Sequence, residues 1–242
     1  MKKTVGIVGG MGPMATIDLF KKIVHNTPAD SDQSHLHIVI DNNTSIPDRS
    51  TYILSGGENP TSEISSSARN LISIGANIII MPCNTAHYFY DDVYETIEDL
   101  IMDKDVIFIH MIEETANHVS NNMEENGKVY LLATKGTYKS MIYKEAFKAR
   151  NIELIEPTVT LKQKVMDMIY DYKNGTFDYT RDDLYDFKND ALSRGAKKII
   201  LGCTELPLIF QKFNLVEDTI DPTEILAKAA IEKANTVALE TI

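Results

Sequence analysis

The chain has 242 residues, 43% of them hydrophobic and 24% charged, with a formal net charge of −11. A chain of this length buries roughly 70 to 75% of its unfolded surface, so it needs no disulfide, and no apolar run approaches the roughly 20 residues that span a bilayer. The acidic balance repels phosphate backbones and anionic lipid, which argues against nucleic acid and membranes as partners.

The opening run TVGIVGG follows two lysines, but it is broken by Gly6, Gly9 and Gly10 and has no small-residue cleavage site. It reads as a first strand and not as a secretory signal. Two cysteines without a leader predict a reducing, cytoplasmic setting. Next comes a helix over Met14 to Asn26, with Ile17, Phe20, Ile23 and Val24 at helical spacing, and then the strand HLHIVID. The βαβ rhythm of a parallel sheet continues with the helix EISSSARNLISIGA, the strand NIIIMP, a helix over Tyr88 to Met102 and the strand VIFIH. A linker, Asn121 to Lys128, leads to a second series. In it KVYLLATKGT is a strand and loop, and YKSMIYKEAFKARN, Val159 to Tyr172 and TRDDLYDFKNDALSRGA are helices. KKIILGC follows as a strand, and Pro222 to Leu239 reads as a terminal helix.

The two series look like copies of one unit. GANIIIMPCNTAH, Gly75 to His87, matches GAKKIILGCTELP, Gly195 to Pro207, at an offset of 120. VGIVGGMGP matches VYLLATKGT at an offset of 124, a difference that one change of loop length explains. The expected architecture is α/β, with two pseudo-symmetric parallel-sheet domains and the active site in the cleft between them. The first domain comprises 1–113 plus 209–242, and the second 114–208.

Each half carries one of the two cysteines, Cys83 and Cys203, at the carboxyl end of an apolar strand, the edge where open parallel sheets bind ligands. Alone, either would read as a small buried hydrophobe. Each, however, is followed by Thr or Asn-Thr and a helical pattern, and helix N-termini favour thiolate. Two such thiols facing one ligand suit a reaction in which a thiolate removes a proton from one face of a carbon and a thiol returns one to the other.

VGGMGP, DNNTSIPDRS, MPCNTAH and LGCTEL, in this order, resemble the aspartate/glutamate racemase family, and within it the aspartate racemase branch. The resemblance covers essentially the whole chain. It implies racemisation of aspartate, and of glutamate as a second substrate, without pyridoxal phosphate or any other cofactor. It also implies a homodimer and one catalytic cysteine from each domain, Cys83 and Cys203. Glutamate racemases typically open on Asp-Ser-Gly and place His after the second Cys-Thr; GGMGP and Glu205 stand here instead, which argues for the aspartate branch.

An acidic substrate needs cations for its second carboxylate. Arg49 in SIPDRS, which would otherwise read as a surface residue paired with Asp48, falls in the family's substrate-binding motif, and guanidinium grips carboxylate in a bidentate way. The family's second cation is carried to Lys164, with Lys162 as the alternative register. Asn84, Thr85 and Thr204 can hold the α-carboxylate as well as cap helices. Met11 and Gly12 lie in a Gly-rich turn open to close backbone approach, and Thr134 occupies the related loop of the other half. Glu205 completes the substrate-binding set.

Other readings remain open at this level. GMGPMA matches the dinucleotide fingerprint G-x-G-x-x-G/A, with Asp41 ending the next strand, and points to a nicotinamide-dependent oxidoreductase. That reading leaves both cysteines unexplained and puts Asp41 later than usual. Two lobes around a cleft also describe an amino-acid-binding sensor with structural or redox-paired cysteines. A maleate isomerase-like enzyme keeps both thiols in use, whereas a decarboxylase would need only one. The six histidines show no metal-binding spacing.

Overall fold

The computed structural model describes residues 2–123 and 127–235. Residues 124–126, in the middle of the expected linker, and 236–239, the end of the expected last helix, lie outside them.

In the first half, β1 (Val5–Gly9), β2 (Ile38–Asn42), β3 (Ile78–Ile80) and β4 (Ile107–Phe108) form a parallel sheet in the order β2-β1-β3-β4. The second half repeats it: β5 (Lys128–Ala133), β6 (Glu153–Ile155), β7 (Lys198–Gly202) and β8 (Thr219–Ile220) are ordered β6-β5-β7-β8, again all parallel. The strands bearing the matched motifs, β1 with β5 and β3 with β7, thus take equivalent central places. Helices cover both faces of each sheet, which explains why the strands read as continuous apolar runs. In β3, Ile78 and Ile80 enter one core and Ile79 the other. In β7, Ile199 and Leu201 enter one core and Ile200 the other.

On the first sheet, α1 (Pro13–Asn26) packs one face, and α3 (Thr61–Ser73) and α4 (Tyr90–Asp103) pack the other. On the second, α8 (Val159–Asn174), α9 (Arg181–Ser193) and α10 (Glu205–Lys212) cover one face, and α6 (Lys135–Ser140) and α7 (Ile142–Lys148) the other. The expected single helix over 138–151 is therefore two, because Met141 takes φ 62° and breaks the ladder. Helices α3 and α9 both end in a glycine at positive φ, Gly75 and Gly195, followed by an alanine whose N–H bonds back into the helix. That shared stop explains why both motifs begin Gly-Ala.

The α5 helix (Met111–Asn122), which was not expected, fastens the halves together. Its Met111 lies in a core of the first sheet, and its Ile112, Ala116 and Val119 lie in a core of the second. The chain returns in α11 (Pro222–Asn235), whose Leu226, Ala227 and Ala230 join Leu19 and Ile23 of α1. The return comes later than the expected boundary at 209, which falls inside α10; β8 must first complete the second sheet. At the junction, Lys22 of α1 lies 2.5 Å from Asp18 and 2.6 Å from Asp221, whose other oxygen caps α11. No helix among the described residues is long and apolar enough to cross a membrane.

Candidate active site

Strands β3 and β7 deliver the two thiols. Met81 and Pro82 extend β3 to Cys83, and Cys203 follows β7 directly. Both are free, and each is only 7% exposed. They line one cavity with Met11, Arg49, Asn84, Thr85, Thr134, Thr204 and Glu205, so the structure brings nine of the expected residues together. Gly12 borders it: a Cβ there would lie 3.8 Å from Glu205 Oε1. The free volume is about 20 Å³, room for about one water. A larger groove of about 630 Å³ along α5, β8 and α11 contains neither thiol.

Helix α2 (Arg49–Ser55) begins at the cleft, where Asp48 caps it by accepting the Thr51 N–H at 2.7 Å. Arg49 is buried, and its guanidinium donates to the carbonyls of Ile46 (3.2 Å), Pro47 (2.8 Å) and Met11 (3.3 Å). Its Nε has no partner. Asn84 is similar. Its Oδ1 accepts from Tyr143 Oη at 2.6 Å, while its Nδ2 is buried without an acceptor. Two orphaned donors on one small cavity are costly unless an anion completes them.

Hydroxyls join the two halves across the cleft. Thr85 Oγ1 lies 3.0 Å from Thr134 Oγ1 and 2.8 Å from Thr137 Oγ1, and Thr134 caps α6. Gly136 permits this approach; a Cβ there would fall 2.9 Å from the Ser50 Cα. His87 braces the first thiol from behind. Its Nδ1 lies 2.9 Å from the Cys83 carbonyl and its Nε2 accepts the Met111 N–H at 3.0 Å, which fixes the neutral tautomer.

The second thiol has a charged neighbour. Cys203 Sγ donates to Glu205 Oε2 at 2.9 Å, Thr204 Oγ1 donates to the same oxygen at 3.3 Å, and Lys173 Nζ lies 3.6 Å from Glu205 Oε1. Burial first, and then the Glu205 charge, push the Cys203 thiol well above the ordinary range. Burial works against the Lys173 ammonium, but the negative charge of Cys203 and Cys83 when ionised, and of Glu205, outweighs that and holds its pKa above that of a free lysine.

Lys173 and Tyr170 line the cavity and were not anticipated; Lys164 and Lys162 do not line it. The reason is helical geometry. At about 100° per residue, Lys164 and Lys173 project from opposite sides of α8, whereas Lys162 shares the Lys173 side but sits roughly 16 Å away along the axis. Lys164 pairs with Asp183 at 2.8 Å and Asp186 at 2.7 Å on α9. Lys162 pairs with Glu156 and lies 4.4 Å from the Tyr138 ring centre. The dinucleotide-like turn also has another use: Gly10, at φ 91°, passes so close to Asn43 that a Cβ would lie 2.2 Å from its carbonyl oxygen.

Known proteins share this fold. The chain is 32% identical to the Picrophilus torridus aspartate racemase, with a TM-score of 0.81 over 96% of this chain and 94% of that one. An aspartate racemase homologue from Pyrococcus horikoshii OT3 is 25% identical, with a TM-score of 0.74 over 98% of this chain and all of that one. The broad specificity amino-acid racemase RacX of Bacillus subtilis (strain 168) is 25% identical over 94% of this chain and 96% of its own length. The model of the Asp/Glu/Hydantoin racemase family matches residues 8–230, and the chain belongs to that family.

Proposed function

We propose that the protein interconverts the enantiomers of an acidic amino acid, aspartate foremost, by proton transfer at Cα without a cofactor. The observation that carries this reading is the pair of equivalent thiols, Cys83 after β3 and Cys203 after β7, lining one cavity with two cations. One sulfur, as thiolate, takes the α-proton and leaves a carbanion stabilised by the α-carboxylate. The other, as thiol, gives its proton to the opposite face. One C–H bond breaks and another forms, the protonation states of the sulfurs exchange, and nothing is oxidised. Asn84 Nδ2 offers a donor for the α-carboxylate, and Arg49 Nε and Lys173 offer cationic donors for the distal one. The present cavity is smaller than an amino acid, so binding involves movement of its lining.

The test is incubation of the purified protein with L-aspartate and no added cofactor, followed by chiral chromatography. D-aspartate is the expected product. Binding without conversion would favour the sensor, and absorbance change that requires nicotinamide would favour the oxidoreductase. Conversion of maleate alone would favour the isomerase. A broad-specificity racemase is the second reading, favoured because both terminal nitrogens of Arg49 already serve backbone carbonyls. Assay of glutamate, alanine and lysine beside aspartate separates the two.

A homodimer and a cytoplasmic setting belong to the same proposal. Met14, Ile17, Phe20 and Val24 form an exposed apolar stripe on α1, and Ile40 of the edge strand β2 is exposed as well. A clustered patch of this kind differs from the scattered apolar residues of an ordinary surface. It would form the apolar centre of an interface with a second copy, which needs roughly 800 Å² per partner. Light scattering should give a dimer mass for the wild type and a monomer mass for Ile17→Glu; equal masses would remove this interface.

A further inference from the structure

An α-amino acid brings an ammonium as well as carboxylates, and the cavity has very few free acceptors for it. Two lining residues are acidic, Asp48 and Glu205. Asp48 is exposed and occupied in capping α2. Among the other acceptors, Asn84 Oδ1 is taken by Tyr143, and the Thr85 hydroxyl is shared with Thr134 and Thr137. Glu205 is different. It is 3% exposed, and its Oε1 has only Lys173, at 3.6 Å, beyond hydrogen-bond distance.

The repeat isolates this residue further. At the offset of 120 that relates the two cysteines, the counterpart of Glu205 is Thr85, so the carboxylate breaks the symmetry of the site. It stands 2.9 Å from a sulfur that, in the proposed reaction, faces Cα. The substrate nitrogen is one bond from that carbon.

We propose that Glu205 is the anchor for the substrate α-ammonium, and so the residue that makes the site select amino acids over dicarboxylic acids lacking the amine. This rests on the racemase reading above and deepens it. Inversion at Cα moves the hydrogen from one thiol to the other and leaves the three heavier substituents near their places. One ammonium anchor therefore serves both enantiomers. With no ammonium bound, the Glu205 charge faces the two carboxylates of a ligand such as succinate and disfavours it. Binding also offsets the Glu205 charge, the second cause after burial that favours the protonated form of Cys203.

Calorimetric titration with DL-aspartate, already at racemic equilibrium and so free of heat from turnover, and with succinate tests the assignment. Glu205→Gln should weaken aspartate by roughly 10- to 150-fold, the loss of one charge-assisted contact, and leave succinate unchanged or tighter. Glu205→Asp, which keeps the charge, should retain the preference for aspartate and controls for folding. An equal loss of both ligands in Glu205→Gln would reduce Glu205 to a structural role, and an unchanged preference would overturn the proposal. Wild-type protein that binds succinate but not aspartate would overturn it as well. Failure of the racemase reading shows separately, as aspartate bound with Glu205-dependent affinity but never converted.

Discussion

The Cys203 thiol donates to Glu205 Oε2 across 2.9 Å, while Thr85, the residue equivalent to Glu205 beside Cys83, shares its hydroxyl with those of Thr134 and Thr137. The two sulfurs are alike in backbone position and unlike in surroundings. Burial and the Glu205 carboxylate both favour the protonated form of Cys203. These surroundings favour Cys203 as a thiol in the unliganded protein, so in the proposed reaction it would be the sulfur that gives a proton after Cys83 has taken one.

Alkylation should report this state. With iodoacetamide and peptide mass spectrometry, Cys203 should react slowly at pH 7 and faster only above pH 9. Removing the neighbouring charge in Glu205→Gln should move that onset to lower pH. Rapid modification of wild-type Cys203 at pH 7 would assign it the opposite resting state.

Replacing either cysteine by alanine should abolish steady-state racemisation, since one sulfur cannot serve both faces of Cα. Each single variant should still exchange the α-proton of one enantiomer with deuterated water, and the two variants should prefer opposite enantiomers. Bound aspartate should slow alkylation of both thiols in the wild type. A Cys83→Ala or Cys203→Ala protein racemising at near wild-type rate would end the two-thiol mechanism.

The cations offer a test in which the structure and the sequence expectation diverge. Arg49→Leu and Lys173→Met should each lower kcat/KM for aspartate by roughly 10- to 150-fold, the loss of one charge-assisted contact. Lys164→Ala, which breaks exposed pairs with Asp183 and Asp186, should leave it within about twofold, because such pairs contribute little. If Lys164→Ala has the largest effect of the three, the cleft assignment of Lys173 is wrong.

The contrast among these lysines marks where the sequence stops being legible. The paired Gly-Ala, strand and cysteine patterns were readable because β-strands write burial and direction into a short contiguous stretch, and Cys83 and Cys203 come together as the repeat implied. Lys173 was hidden. In the last turn of α8 a lysine is the ordinary partner of a helix C-terminus, and only the direction in which the helix is docked turns it toward Glu205. Helix α5 was missed for a related reason: its apolar Ile112, Ala116 and Val119 are interleaved with Glu, Asn and His, and its burial depends on two sheets that the local pattern does not describe. Short α10 and β8 carry too few residues to show a period.

His87 links the site to acid stability. Burial first, and then the His110 ring 4.8 Å away, lower its pKa from 6.5 to about 3. A lowered pKa means that the unfolded chain binds more protons between those values. The contribution of His87 is thus fully present above pH 6.5 and is lost as pH falls toward 3, by up to about 1.4 kcal/mol per pH unit. Protonation would also abolish the Nε2 acceptor for the Met111 N–H and so strain the link between the Cys83 carbonyl and α5. His87→Gln cannot titrate in this range. It should be less stable than wild type at pH 8, by roughly 1 to 3 kcal/mol for the disturbed buried hydrogen bonds, and the gap should narrow steadily on acidification. Urea unfolding of both proteins from pH 8 to pH 4.5 measures it, and parallel curves would show that the His87 proton is not what couples this site to acid.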